Sequence, residues 1–199
     1  MCRFIETICV LDGVARHLPL HQERMDATLR HHFGRCVPSV NLSSLLNDVP
    51  PTEGKVKVRV VYGKDGVEEI THAPYRMRSV RSLKMVCADD ADYRFKCADR
   101  GDIERLYALR RDCDDILVVR RGLLTDTSFT NIALFIGHQW FTPAHPLLEG
   151  VMRRNLIDAR QLVEAELTPA DLRRAERVSL LNAMISLGEL VVSPSQVIV

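Results

Sequence analysis

The chain has 199 residues, with 27 lysines and arginines against 26 aspartates and glutamates, for a formal net charge of +1. This near-neutral charge excludes a strongly basic nucleic-acid-binding protein, because there is no charge excess to neutralise phosphates. The hydrophobic content of 46% excludes a disordered chain. No segment reaches the roughly 18 apolar residues of a membrane span, so we expect no membrane partner.

The cysteines show no spacing that is typical of a metal site. They are Cys2, Cys9, Cys36, Cys87, Cys97 and Cys113. No pair has two residues between its members, so we expect no bound zinc or other metal. Arg3 and Glu6 interrupt the N-terminal apolar stretch, so no signal peptide is predicted. We therefore expect reduced thiols in a cytoplasmic protein.

Strands and helices alternate in the first half of the sequence. Runs of β-branched residues and polar–apolar alternation predict strands over Phe4–Val10, Lys55–Tyr62 and Val67–Thr71. Met25 and Leu29 lie one turn apart and Gly34 follows as a C-cap, which predicts a helix over His21–Phe33. A second helix is predicted over Leu42–Asp48.

The second half mixes the two kinds of element. The predicted strands are Leu83–Ala88, Ile116–Arg120, Thr130–Ile136 and Val178–Leu181, and the predicted helices are Asp102–Arg111 and Gly150–Gln161. The segment Thr168–Asp171 has the form of a helix start, with proline at the first helical position. A change of character near residues 75–95 predicts an α+β chain of two small domains, 1–85 and 90–199.

Lys96 lies between apolar neighbours in the segment Asp92–Arg100. Desolvation disfavours the charged form of a lysine and lowers its pKa, which makes the amine a nucleophile able to form an imine with an aldehyde. Taken alone, however, the same pattern more often belongs to a surface lysine beside a strand end.

Two further segments carry groups that are able to bind a ligand. Residues Gly122–Asn131 are rich in hydroxyl, acid and amide groups and are predicted to form a loop between two strands. The alternative is a loop whose side chains satisfy only its own backbone. Gly150 opens a predicted helix whose first N–H groups are able to bind an anion. The alternative there is an ordinary junction between loop and helix.

Seven segments, spread over nearly the whole chain, form a pattern through their order and spacing. They are Phe4-Ile5-Glu6-Thr7, His21-Gln22-Glu23-Arg24, Lys96, Thr125-Asp126 with Asn131, Thr142-Pro143, Gly150-Val151-Met152-Arg153 and Asn182-Ala183. This pattern resembles the class IV aminotransferase family, the fold-type IV pyridoxal-phosphate enzymes. The family includes branched-chain aminotransferases, D-amino-acid aminotransferases and aminodeoxychorismate lyases.

The resemblance implies a fold, a cofactor and a class of reaction. The fold would be that of D-amino-acid aminotransferase, with two small α/β domains and the site between them. The cofactor would be pyridoxal 5'-phosphate, used by an aminotransferase or a lyase on a small amino or keto acid or an aminodeoxychorismate-like substrate. The enzyme would be a homodimer. Cys97–Arg100 is nearer to the lyase pattern than to the transaminase pattern, which slightly favours a lyase.

The resemblance also implies roles for individual residues. Lys96 would hold the cofactor as an imine and, once freed by the substrate amine, would move a proton between the substrate Cα and C4′ of the cofactor. Arg24 would bind the cofactor phosphate through its guanidinium. The backbone N–H groups of Val151 and Met152, directly after Gly150, would bind the same phosphate.

The remaining implied roles concern the cofactor ring and the substrate. Asp126 stands where the family usually has glutamate, facing the pyridine nitrogen, and Asn131 belongs to the same cofactor-binding segment. Asn182 and Ala183 would close the phosphate site. Arg59 matches a family position that can contact a substrate carboxylate, and the alternative for Arg59 is a polar-face strand residue.

Two departures from the family pattern motivate a second hypothesis. Asp126 is one methylene shorter than glutamate, and the sequence starts just before the Phe4 strand, where family members usually have a further hairpin. In the second hypothesis the chain is a non-catalytic or regulatory protein that keeps the fold, with or without the cofactor.

Overall fold

The computed structural model describes residues 2–34, 40–46 and 53–199. Contacts group the chain into two compact units, one of Met1–Arg76 with Phe95–Asp99 and one of Met77–Arg94 with Arg100–Val199. Each unit contains both helices and strands, so the α+β prediction is confirmed. The division into domains at 1–85 and 90–199 stays a prediction. In the described residues no helix is long and apolar enough to cross a membrane.

The first unit packs helices against one antiparallel sheet. Its elements are β1 (Phe4–Leu11), β2 (Val14–Ala15), α1 (Leu18–Phe33), α2 (Leu42–Leu46), β3 (Lys55–Gly63) and β4 (Gly66–Pro74). The strand order is β2-β1-β3-β4. Alternate residues of β1 and β3, such as Ile8 and Val58, are fully buried in one core with Met25 and Leu29 of α1. The period-two pattern of these strands therefore decides which face of the sheet the helix covers.

Helix α1 begins earlier than the sequence predicted. It starts at Leu18, not at His21, because Pro19 lies in the first turn, where the N–H that proline lacks has no helical partner to lose. The predicted end is confirmed, since Gly34 caps the helix with a φ of 80°. The second predicted helix is observed over Leu42–Leu46, and its predicted last residues, 47 and 48, lie outside the described residues.

The second unit contains a nine-stranded mixed sheet in the described part of the chain. Its elements are β5 (Leu83–Cys87), α3 (Gly101–Ala108), β6 (Asp115–Arg120), β7 (Leu123–Thr127), β8 (Asn131–Ile136), β9 (Gln139–Pro143), α4 (Val151–Asp158), β10 (Val163–Ala165), β11 (Arg177–Asn182), β12 (Ile185–Val192) and β13 (Val197–Ile198). The main strand path is β10-β9-β8-β7-β6-β5-β13, and β11 pairs with both β8 and β12. Strand β8 thus lies beside β7, β9 and β11.

Two predictions in this unit were wrong, and one long strand was not predicted. Half of the segment 122–131, predicted as a loop, is strand β7, because polar residues such as Thr125 and Asp126 are buried there and hide the strand pattern. The predicted helix start at Thr168 leads only to one 3₁₀ turn, Asp171–Arg173. Strand β12 was not predicted, because exposed residues and Gly188 interrupt its apolar pattern.

Candidate functional site

Lys96 is held in place by the end of strand β1. The backbone N–H of Ile5 donates to the carbonyl oxygen of Lys96 at 3.0 Å, and that of Ala98 donates to the carbonyl oxygen of Arg3 at 2.8 Å. The φ of Lys96 is 47°, in the left-handed region that a non-glycine residue rarely adopts. Such strained residues are concentrated at functional sites, where the surrounding structure maintains them.

A buried carboxylate lies on the same strand, one residue after Ile5. Glu6 is fully buried and accepts two hydrogen bonds from Arg24, from Nε to Oε1 at 2.9 Å and from Nη2 to Oε2 at 2.5 Å. Nδ1 of the buried His21 lies 2.6 Å from the same Oε2. His21 and Arg24 are three residues apart on α1, so both side chains approach Glu6 from one helix face.

Electrostatics fix the protonation states of this cluster. Burial alone would raise the pKa of Glu6, but the charge of Arg24 and the hydrogen bonds from His21 and Arg24 lower that pKa to about 2. Burial lowers the pKa of His21 despite its hydrogen bond to Glu6. His21 is therefore neutral and donates from Nδ1 to an ionised Glu6. Its Nε2 atom is buried and has no hydrogen-bond partner among the described residues.

Glu6 and His21 have no role predicted from the sequence, although both belong to the motifs that carry the resemblance. One signal was available: in β1, Glu6 alternates with the apolar residues Phe4 and Ile8, so it occupies a core position. A carboxylate at a core position requires a partner, because an unpaired buried charge is strongly disfavoured.

Arg59 lies on the opposite face of this sheet from Glu6. The antiparallel register pairs Glu6 with Val60 and Arg59 with Thr7, and neighbouring residues along a strand point to opposite faces. Arg59 is partly exposed, and its Nη1 lies 3.6 Å from a carboxylate oxygen of Glu69 on β4. Its role as a contact of the substrate carboxylate stays a prediction.

In the second unit, Asp126 and Asn131 face each other where β7 gives way to β8. Asn131 donates from Nδ2 to Asp126 Oδ1 at 2.9 Å and to the carbonyl oxygen of Leu148 at 2.8 Å. The backbone N–H of Leu148 donates to Asp126 Oδ2 at 2.8 Å. These bonds fix the carboxylate and attach the segment before α4 to the sheet.

Asp126 is a buried carboxylate without a cationic partner among the described residues. Burial raises its pKa to about 6, although the hydrogen bonds from Asn131 and Leu148 favour the charged form. The charge of Arg153 also favours that form, but the Arg153 guanidinium is paired with Glu164 at 2.6 Å. A cationic group placed beside Asp126 would therefore stabilise its ionised form.

Helix α4 starts directly after Gly150 without a side-chain cap. The first backbone N–H groups of a helix have no partner within it, so those of Val151 and Met152 are donors suited to an anion. A Cβ atom on Gly150 would overlap Oδ1 of Asn131. Glycine is therefore required here for the close approach of Asn131, since its φ of −70° is open to any residue.

The Gly150→Ala substitution is expected to destabilise the protein by about 1–3 kcal/mol, because the new methyl group must displace the Asn131 side chain. Chemical denaturation of the purified variant measures this loss. In an Asn131→Ala background the same substitution is expected to have a much smaller effect, because the overlapping group is absent. An equal loss in both backgrounds would contradict the steric explanation.

Asn182 and Ala183 lie where β11 turns into β12. The Asn182 side chain donates from Nδ2 to the carbonyl oxygen of Phe129 at 3.2 Å and accepts from the N–H of Met184 at 2.8 Å. Phe129 lies between Asp126 and Asn131 in the chain. The second unit thus brings the β11–β12 turn next to the segment that carries Asp126 and Asn131.

These groups match the chemistry of pyridoxal phosphate. In the second unit, the uncompensated carboxylate of Asp126 suits a protonated ring nitrogen, and the start of α4 after Gly150 suits a phosphate. In the first unit, β1 supports both the amine of Lys96, which suits an aldehyde, and the guanidinium of Arg24, which suits a phosphate. The residues present therefore fit the cofactor.

Comparison with known proteins extends this match to the whole chain. The profile of amino-transferase class IV matches residues 3–190. An uncharacterised protein from Haemophilus influenzae is 30% identical over 186 residues, which are 92% of this chain and 98% of that protein. A protein described as "putative aminodeoxychorismate lyase" from Schizosaccharomyces pombe is 25% identical over 209 residues, with 93% of this chain and 88% of that protein covered.

A solved structure agrees with these relatives. The crystal structure of a "putative 4-amino-4-deoxychorismate lyase" from Haemophilus somnus superposes with a TM-score of 0.88 at 29% identity, and covers 94% of this chain and 98% of that one. The fold-type IV architecture that the resemblance implied is therefore confirmed. The chain belongs to the class IV aminotransferase family of pyridoxal-phosphate enzymes.

Proposed function

We propose that this enzyme is a lyase acting on an aminodeoxychorismate-like substrate through Lys96. The observation that carries the proposal is the buried carboxylate of Asp126, which Asn131 and Leu148 hold in place. Burial raises its pKa, so a cationic ring beside it would stabilise its ionised form. The choice of a lyase is supported by the two similar proteins whose descriptions name that activity. It is also supported by Cys97–Arg100, which is nearer to the lyase pattern.

Each proposed site residue has one physical task. Arg24 and the N–H groups of Val151 and Met152 bind the phosphate, with Gly150 allowing the approach and Asn182 and Ala183 closing that end. When bound, pyridoxal phosphate supplies an electron-accepting ring that stabilises the negative charge left when the substrate Cα loses a proton.

Two side chains handle the protons of the reaction. Asp126, held by Asn131, keeps a proton at the ring nitrogen, because an ionised carboxylate in a buried site stabilises the adjacent cation. The amine of Lys96 removes the proton from the substrate Cα and carries it to another atom of the reacting group, which requires a pKa near the working pH. Arg59 is proposed to contact the substrate carboxylate.

Amino transfer from a small amino acid to a keto acid is the second candidate reaction. It uses the same Lys96 and Asp126, and the family profile that matches the chain is named for it. A third candidate, a non-catalytic protein with the same fold, is motivated by aspartate at a position where the family usually has glutamate.

We extend the proposal to a homodimer in the cytoplasm. The homodimer is carried over from the family resemblance. Cys2, Cys87 and Cys113 carry free thiols, as is usual in a reducing compartment. Light scattering of the purified chain tests the assembly, and a monomer mass at working concentration would contradict it.

A substrate assay with the cofactor-loaded protein separates the three candidates. The protein is incubated with aminodeoxychorismate alone, and in parallel with L- and D-amino acids together with keto-acid acceptors. Consumption of aminodeoxychorismate over many turnovers supports the lyase. Amino transfer between the amino and keto acids, with no consumption of aminodeoxychorismate, supports the aminotransferase. A protein that binds the cofactor but turns over neither set is the non-catalytic form. Free pyridoxal phosphate without protein serves as the control.

A further inference from the structure

The cluster of Glu6, His21 and Arg24 is built more specifically than a stabilising ion pair requires. Arg24 meets Glu6 side-on, with Nε and Nη2 each bonded to a different carboxylate oxygen, at 2.9 and 2.5 Å. This arrangement fixes the plane of the guanidinium as well as its position.

Glu6 is a charged residue among apolar core residues of the same sheet. The neighbouring inward positions of β1 hold Phe4, Ile8 and Val10, which are apolar and almost fully buried. Burying an ion pair frequently gives less stability than apolar residues of similar volume would give in the same place. A fully buried Glu6 is therefore better explained by a need to orient Arg24 than by the stability of the core.

His21 restricts the carboxylate in turn. Its neutral ring donates from Nδ1 to Oε2 of Glu6 at 2.6 Å, so that this oxygen receives bonds from both α1 side chains. Rotation of the carboxylate would break at least one of the three bonds. His21 therefore holds the Glu6 carboxylate in place, and Glu6 in turn holds the Arg24 guanidinium.

We propose that Glu6, supported by His21, is a positioning residue that orients the Arg24 guanidinium for binding the phosphate of the cofactor. This inference rests on the proposed role of Arg24. It predicts that Glu6 contributes to recognition of the phosphate specifically, and not to binding of the rest of the cofactor. A purely structural ion pair would affect both parts alike.

The test compares two ligands that differ only in the phosphate, pyridoxal phosphate and pyridoxal. Both carry the aldehyde that suits Lys96, so the ratio of their dissociation constants isolates the contribution of the phosphate. The ratio is measured by equilibrium dialysis for the wild type, Glu6→Gln and Arg24→Gln. Tyr62→Phe is the matched control, because Tyr62 is buried in the same core and its hydroxyl bonds to Thr28, not to Glu6.

We expect Glu6→Gln to reduce the preference for pyridoxal phosphate by about tenfold, with little change in the affinity for pyridoxal, since loss of an orienting partner commonly weakens binding by that order. Arg24→Gln is expected to reduce it at least as much, and Tyr62→Phe is expected to leave it unchanged. If Glu6→Gln does not fold, Glu6→Asp keeps the charge but is too short for the side-on geometry, and the same loss of preference is expected.

The two ways of failing are distinguishable. If Arg24→Gln lowers the preference but the Glu6 variants do not, the positioning role of Glu6 is overturned while Arg24 keeps its proposed function. If Arg24→Gln leaves the preference unchanged, Arg24 does not bind the phosphate, and both proposals are overturned. Equal weakening of both ligands by Glu6→Gln also overturns the positioning role.

Discussion

Replacing Lys96 with alanine is expected to lower turnover by about 10²–10⁴-fold or more, because the substitution removes the group proposed to transfer the Cα proton. It is also expected to abolish the stable adduct that borohydride forms between cofactor and wild-type protein. Mass spectrometry of the digested wild-type protein should locate this adduct on the peptide that contains Lys96.

Two further variants sharpen this prediction. Lys96→Arg keeps the positive charge but offers no amine that reacts at neutral pH, so it is expected to lose the adduct as well. Lys64→Ala is the matched control, since Lys64 is exposed in the turn between β3 and β4 and should keep both adduct and turnover. An adduct that persists in Lys96→Ala would show that another amine reacts and would remove the basis of the proposed function.

The second large effect is expected for Asp126→Asn. The variant keeps the shape of the side chain but cannot ionise, so it is expected to weaken cofactor binding and to lower turnover by about 10²-fold or more. The Asp126 carboxylate accepts hydrogen bonds from Asn131 and from the N–H of Leu148. In the variant, the N–H₂ group of asparagine would face one of these two donors, and that hydrogen bond would be lost.

The pH dependence of stability provides an independent measurement on the cofactor-free protein. Burial raises the pKa of Asp126 from 3.8 to about 6. Its contribution to stability is therefore fully present below pH 3.8 and is lost as the pH rises through 6, a change of about 3 kcal/mol. Denaturation curves from pH 3.5 to 7 should show this loss of stability with rising pH in the wild type, and the loss should be missing in Asp126→Asn.

Cofactor binding should show the opposite trend. A cation beside Asp126 lowers its pKa, so the affinity of the wild type for pyridoxal phosphate, relative to that of Asp126→Asn, should rise with pH and level off above about 6. Asp115→Asn is the matched control: Asp115 is fully buried and burial raises its pKa, but it bonds to Ser128 and Ile116. A relative affinity that does not vary with pH would contradict the role of Asp126 at the ring.

Periodicity predicted those elements whose inward residues are apolar. Strand β3 and most of α1 were predicted correctly, because Val56, Val58 and Val60 alternate and Met25 and Leu29 repeat at helical spacing. Strand β7 was missed for the complementary reason. Its buried positions are polar. Thr125 donates to the carbonyl oxygen of Val118 in the neighbouring strand, and the N–H of Leu148 donates to Asp126, so tertiary hydrogen bonds permit a burial that the local sequence does not indicate.

For the candidate site as well, some features could be predicted from the sequence and others could not. The order of seven short segments was enough to indicate the family, the cofactor and the reactive Lys96, since these depend on residue types and their spacing. The support of Arg24 by Glu6 and His21, and the need for glycine at position 150, required the tertiary structure.

The sequence by itself thus determined the chemistry that the chain offers: an amine, an arginine, a carboxylate and a helix start. Only the tertiary structure decided how these groups are oriented and charged. Burial alone would raise the pKa of Glu6, but the charge of Arg24 and the hydrogen bonds from His21 and Arg24 lower that pKa to about 2. For Asp126, burial without a cationic partner raises the pKa to about 6. The physical reason is that the energy of a charge depends on its surroundings, and contacts between residues far apart in the chain determine those surroundings.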